Sequence, residues 1–131
     1  RDPYKQTLYK YGLYNESKLL NGKICCFIEN FKYPSLIASH IKPFIQCNEN
    51  EQFDINNGLL LSKNMDYLFD KGWISFNGSG EIICAHNLEK PLRDFLSFKK
   101  LDKKYLNEKR LPYLKYHREN VFNDTQRYRF D

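Results

Sequence analysis

At 131 residues, with 41% hydrophobic and 16% aromatic side chains, the chain is long enough for one domain around a modest core and too apolar to stay disordered. A formal net charge of +5 favours a polyanionic partner, although a charge of that size also serves solubility. No run approaches the roughly 20 apolar residues that span a bilayer, and Arg1-Asp2-Pro3-Tyr4 has no apolar signal core, so no membrane association is expected.

Residues 4 to 20 suggest a helical lead-in, with Tyr4, Leu8, Tyr9 and Tyr11 forming a stripe before Gly12 and a second short turn opening at Asn15-Glu16-Ser17. Ile24-Cys25-Cys26-Phe27-Ile28 and residues 35 to 39 read as strands, joined by the polar, proline-containing stretch Glu29 to Pro34. Leu36-Ile37-Ala38 runs as a buried strand into Ser39-His40, and Pro43 stops regular structure two residues past Ile41. Residues 45 to 57 form a polar loop before a short strand at Gly58 to Leu61. Met65, Leu68 and Phe69 fall at i, i+3 and i+4 and predict a helix over residues 64 to 71, stopped by Gly72. A hairpin follows, with strands Trp73 to Phe76 and Glu81 to Cys84 around the turn Asn77-Gly78-Ser79-Gly80.

After Pro91 the remainder reads as helical and basic. There Lys99, Lys100, Lys103, Lys104, Lys109, Arg110, Lys115 and Arg118 alternate with Phe95, Phe98, Leu101, Tyr105, Leu106, Tyr113, Leu114 and Tyr116. Such interleaving suits the two faces of an amphipathic helix and also a nucleic-acid groove, and the two readings are compatible. His117-Arg118 lies where it can touch a substrate backbone without a catalytic role.

Cys25, Cys26, Cys47 and Cys84, spaced by 1, 21 and 37 residues, fit neither a CxxC zinc knuckle nor a disulfide framework. Reduced thiols in a cytoplasm are the expectation. The chain also begins without methionine, so a fragment with a further N-terminal domain is expected.

The chemistry concentrates between Ser39 and Asp70. His40 stands where a strand gives way to a loop, a rigid support for an exposed imidazole, whose ordinary pKa of about 6.5 suits a general base. Asp66 and Asp70 are four apart, so on a helix their side chains are offset by about 40° and project from one side. Two like charges so placed repel by a few tenths of a kcal/mol, and a divalent cation relieves that repulsion. Each residue also has a plainer reading: a loop histidine and an ordinary solvated acidic pair.

Taken together, Ala38-Ser39-His40-Ile41-Lys42-Pro43, Asn57-Gly58-Leu59-Leu60-Leu61-Ser62 and Asn64-Met65-Asp66-Tyr67-Leu68-Phe69-Asp70-Lys71-Gly72 resemble the HNH, or ββα-metal, endonucleases, in particular their restriction-enzyme-like branch. The resemblance covers residues 24 to 76 well and, more weakly, Arg110 to Phe122. It implies an α+β fold, a ββα-metal core over residues 24–72 with an additional β-hairpin and flanking helices, including a basic helical part over 90–122. The whole chain, 1–131, is then a single nuclease domain.

By the same resemblance His40 is the general base, and Asn57, seventeen residues on, pins the loop that carries it. Asp66 and Asp70 are metal ligands, and Ser39, Lys42 and Lys63 flank the site as nucleic-acid contacts. Two positions depart from the commonest pattern, Ser39 before the histidine and Asp66 where the family usually has its final histidine. Both exchange nitrogen or stronger ligands for oxygen, so Mg²⁺ or Mn²⁺ is expected over Zn²⁺. The implied activity is hydrolysis of double-stranded DNA by the cleavage module of a restriction-type enzyme, leaving 5′-phosphate and 3′-hydroxyl ends, with a homodimer as one possible assembly. Two other readings are a non-catalytic nucleic-acid-binding or interaction module on the same scaffold, and an RNase or toxin nuclease with the same site.

Overall fold

The computed structural model describes residues 1–130. Helix α1 spans Pro3–Asn21 as one unbroken element. The Asp2 carboxylate accepts from the N–H groups of Tyr4 (3.0 Å) and Lys5 (3.2 Å), Pro3 fits the first turn, and Gly22 in the left-handed region (φ 72°) ends it. The expected break at Gly12 does not occur. Tyr9, Leu13 and Ser17, four apart, bury one stripe of the helix, and that burial outweighs the roughly 1 kcal/mol cost of an interior glycine.

Strand β1 (Ile37–His40) pairs antiparallel with β2 (Gly58–Leu61), with Ile37 opposite Leu61 and His40 opposite Gly58. The strand expected over residues 24–28 is absent. The chain there curls into a turn in which Asn30 N–H donates to Cys26 O (2.8 Å) and Cys26 N–H to Phe31 O (3.1 Å), with Asn30 at φ 65°. Only Phe27 N–H reaches the sheet, at Leu60 O (2.8 Å). Cys25 through Ile28 are all buried, so the apolar run signals burial without the alternation of a half-buried strand.

The polar loop between β1 and β2 holds 3-10 turns at Phe44–Gln46 and Ile55–Asn57 and a short helix α2 (Glu49–Gln52), opened by a capping box between Asn48 and Glu51. Helix α3 (Lys63–Asp70) follows β2 directly, with the Ser62 hydroxyl accepting from Met65 N–H (3.4 Å). Gly72 (φ 77°) ends it, and a Cβ there would run into the Val121 carbonyl. The hairpin is present as β3 (Ile74–Phe76) and β4 (Ile82–Cys84).

Beyond it lie α4 (Lys90–Leu96), a 3-10 turn at Lys103–Tyr105 and α5 (Arg110–Asn120). Leu96, Leu101, Tyr105 and Leu114 turn inward to the single core, whereas Phe95 and Phe98 stay exposed.

Three charged or titratable residues expected to face outward turn inward. Arg110 is fully buried and clasps Glu16 of α1 with both terminal nitrogens (2.7 Å each), while its Nη2 also donates to Ile55 O (3.1 Å). That clasp ties α5 to α1 and to the turn that leads into β2. His117 does not reach any substrate surface. Its Nε2–H donates to Phe69 O (2.8 Å), its Nδ1 accepts from the Ser75 hydroxyl (2.7 Å), and its ring stacks on Phe69 at 3.8 Å. Burial pushes its pKa down to about 4, so it is a neutral core histidine. Arg118 is likewise turned inward, donating to Phe76 O (2.7 Å).

Candidate active site

His40 ends β1, and its surroundings fix one tautomer. Nε2 lies 2.7 Å from Gln52 O, and a carbonyl can only accept, so Nε2 carries the hydrogen and Nδ1 is left with a free lone pair. The ring stacks on Tyr9 (4.6 Å, 15°) and meets the edge of Phe44 (5.5 Å, 83°). Tyr9 is itself fixed, its hydroxyl donating to Asn57 O (2.7 Å). Gly58 permits this approach, because a Cβ there would overlap the Tyr9 hydroxyl.

Asn57 is fully buried and braces the loop from inside. Its Oδ1 accepts from Lys42 N–H (2.7 Å), and its Nδ2 donates to Glu51 O (3.1 Å) and lies 3.4 Å from Lys42 O and 3.3 Å from Cys47 Sγ. Both edges of the loop, at residues 42 and 51, therefore hang on one amide. Gln52, which orients His40, follows directly.

Ser39, His40, Asp66 and Asp70 line one cleft of about 280 Å³, together with Arg1 and Phe44. The guanidinium of Arg1 lies 4.0 Å from the Phe44 ring centre. The cleft thus combines an imidazole, two carboxylates of α3 and one cation. Burial lowers the His40 pKa below its ordinary 6.5; the Gln52 hydrogen bond pulls it back up, Arg1 pushes it further down, and Asp70 raises it. The ring is neutral near pH 7. Burial raises the Asp66 pKa above 3.8, and Asp70 adds to the rise, whereas Ser39 and Lys71 oppose it.

The Ser39 hydroxyl sits close enough to the Asp66 carboxyl to stabilise its charge, but the contact falls short of a full hydrogen bond, leaving Oγ a buried, unpartnered atom.

The remaining expected contacts lie elsewhere. Lys42 does not face the cleft; its ammonium is committed to Glu51 (3.0 Å) and rests over Tyr116 (4.9 Å), because the backbone at residue 42 is held inward by Asn57. Lys63 is exposed at the first position of α3 and does not line the cleft.

Among the described residues, no group of three or more His, Cys, Asp or Glu side chains is arranged to hold a metal ion. The donors that do converge are all oxygen on α3 and β1: two carboxylates, one with a raised pKa that a cation would lower, and an orphaned hydroxyl. That set fits a hard ion such as Mg²⁺, which keeps several waters and takes one or two carboxylates plus substrate phosphate oxygens. It does not fit Zn²⁺, which takes four nitrogen, sulfur or oxygen ligands in a closed tetrahedron.

A family model described as HNH endonuclease matches residues 25–77. Residues 25–77 are thus similar to the HNH endonuclease family. The match spans β1, β2, α3 and β3 and includes every side chain of the His40 cleft except Arg1. Nuclease activity on nucleic acid, with a divalent metal ion as the usual cofactor, follows for an HNH domain in general. No curated protein matches the chain. No helix among the described residues is long and apolar enough to cross a membrane.

Tyr9 and Arg1 escape sequence reasoning because the N-terminal helix reads only as a lead-in, and Phe44 because it lies in a loop without periodicity. The signal available was Tyr9 itself, four before Leu13 and eight before Ser17 on one helical stripe.

Proposed function

We propose that this chain is a metal-dependent endonuclease that hydrolyses double-stranded DNA, as the cleavage module of a restriction-type enzyme. One observation carries the reading: a neutral imidazole with Nδ1 free opens into the same cleft as the Asp66 and Asp70 carboxylates.

In this mechanism His40 Nδ1 takes a proton from a water molecule, and the water oxygen bonds to phosphorus as the bond to the 3′ oxygen breaks in line. Tyr9 and Gln52 hold the ring in the orientation that exposes Nδ1, and Asn57 holds the loop that carries Gln52. Asp66 and Asp70 hold Mg²⁺ or Mn²⁺, which when bound supplies positive charge to the phosphate and the leaving oxygen. Arg1 is placed for a phosphate oxygen on the rim. Ser39 supports the Asp66 carboxylate. Lys63 remains a candidate contact further along the backbone; Lys42 serves the loop through Glu51. Four free thiols suit a reducing cytoplasm. A homodimer and a further domain that selects the sequence fit double-strand cutting by such a module.

A non-cutting nucleic-acid-binding module is the second reading, favoured by the lack, among the described residues, of a third metal-ligating side chain grouped with the acidic pair. Nicking of supercoiled plasmid with Mg²⁺, Mn²⁺ or EDTA separates the two, with RNA offered alongside DNA. Cutting that needs metal, prefers DNA and falls at least about a hundredfold in His40→Ala supports the nuclease. Undiminished cutting by that variant overturns His40 as the base, and DNA binding without cutting supports the module.

A further inference from the structure

Helix α3 separates two concavities. Asp66 and Asp70 line the His40 cleft, while Tyr67 and Lys71, each one residue further and so about 100° round the helix, line a pocket of about 430 Å³ on its other side. Trp73 and Tyr128 complete that pocket's aromatic wall, their rings 5.0 Å apart, and Arg127 and Arg129 stand at its edge.

The pocket is built on fixed backbone. Gln126 Nε2 donates to Lys71 O (2.6 Å), Asn87 Nδ2 to Gln126 O (3.1 Å), and Glu89 N–H to the Tyr128 hydroxyl (2.8 Å), which locks the Tyr128 ring in place. Its volume lies in the range of small-ligand sites, roughly 300–1,000 Å³.

Among the described residues, no acidic side chain lines the pocket. Among the described residues neither Arg127 nor Arg129 forms an ion pair, and Lys71 has only a loose, exposed contact to Asp70 at 3.6 Å. Flat apolar walls beside three cations match a ligand that joins an aromatic ring to an anion, which is the chemistry of a nucleotide.

We propose that this pocket receives one unstacked nucleobase of the nucleic-acid strand, stacked among Tyr67, Trp73 and Tyr128, with an adjoining phosphate on Lys71, Arg127 or Arg129. The proposal rests on the nucleic-acid substrate of the reading above and places a second contact on the far side of α3 from the reacting phosphate.

Trp73 is the only tryptophan, so intrinsic emission reports on this pocket directly. The test titrates the whole chain carrying His40→Ala, in EDTA, with a short single-stranded DNA, with a fully abasic strand of the same length, and with an acidic peptide of equal charge. Saturable quenching by the base-bearing strand is expected, weakened roughly tenfold for the abasic strand and roughly tenfold in Tyr67→Ala, a change at a side chain 58% exposed and so neutral for folding.

Equal affinity for the abasic strand or the peptide reduces the pocket to a charged patch and overturns the proposal, as does wild-type affinity in Tyr67→Ala. Plasmid cutting by the wild-type chain without any Trp73 response sinks this inference and leaves the nuclease reading standing. Base-dependent quenching without cutting does the reverse.

Discussion

Replacing Asn57 by alanine removes a side chain with no solvent exposure that serves two opposite strands of one loop. Lys42 N–H loses its 2.7 Å acceptor, whereas Glu51 O loses a 3.1 Å donor but keeps the N–H groups of Phe53 and Asp54 (3.4 Å for the latter). At about 1–3 kcal/mol for the one orphaned group, Lys42 N–H, the variant loses about 1–3 kcal/mol of stability, a large share of what a domain of this size holds.

Asn57→Asp keeps an acceptor for Lys42 N–H but sets a second acceptor against the Glu51 carbonyl, so it does not restore the loss. Urea unfolding followed by Trp73 emission measures both. Cutting falls with stability, because the loop between residues 42 and 51 leads directly to Gln52, whose carbonyl holds His40. A loss below about 1 kcal/mol in Asn57→Ala, or full rescue by Asn57→Asp, refutes the claim that paired hydrogen bonds rather than bulk hold the loop.

Two further outcomes follow from titrating groups. Because His40 works as a neutral base with a pKa below 6.5, the cutting rate stays on a plateau through neutral pH and falls on an acid limb lying below 6.5; a midpoint at or above that value contradicts the assigned burial. His117 binds a proton in the unfolded chain near 6.5 but in the fold only near 4, so its contribution to stability is complete above 6.5 and is lost as pH falls toward about 4. The difference corresponds to about 3 kcal/mol, and urea midpoints across that range fall less steeply in His117→Gln than in wild type.

The legible parts of the chain are those whose information is local. The Met65, Leu68, Phe69 stripe fixes α3 and sets Asp66 and Asp70 on one side of it, and Asn77 to Gly80 fixes the β3–β4 turn, all within a few residues of sequence. Residues 24–28 misled because burial on every side looks like a strand in a one-dimensional pattern, whatever path the backbone takes. Tyr9 and Arg110 were illegible for a different reason. Their decisive partners, Asn57 O and Glu16, lie 48 and 94 residues away, and no spacing rule spans that distance. His117 looked like a substrate contact because its basic neighbours dominate the sequence, while the Ser75 hydroxyl and Phe69 carbonyl that hold it in the core, where burial keeps it neutral, come from other elements.

His117 also joins stability to the site through α3. Near the end of α3 the Phe69 carbonyl, one residue before Asp70, already accepts from Gly72 N–H (3.2 Å), and His117 Nε2–H adds a shorter bond at 2.8 Å. Its Nδ1 meanwhile takes the Ser75 hydroxyl of β3, so one neutral ring clamps the C-terminal end of α3 to the hairpin. Protonation turns Nδ1 into a donor, so the Ser75 hydroxyl must rotate to accept, and a charge is enclosed in the core against the end of α3 at a cost set by its burial. Asp70 lines the His40 cleft and Lys71 the pocket on the other side, so loosening this end displaces a carboxylate from one and a cation from the other together. Acid therefore acts on cutting in two ways, by charging His40 directly and by unclamping the helix that carries the acidic pair, and the His117→Gln variant, which keeps the first and removes the second, separates them.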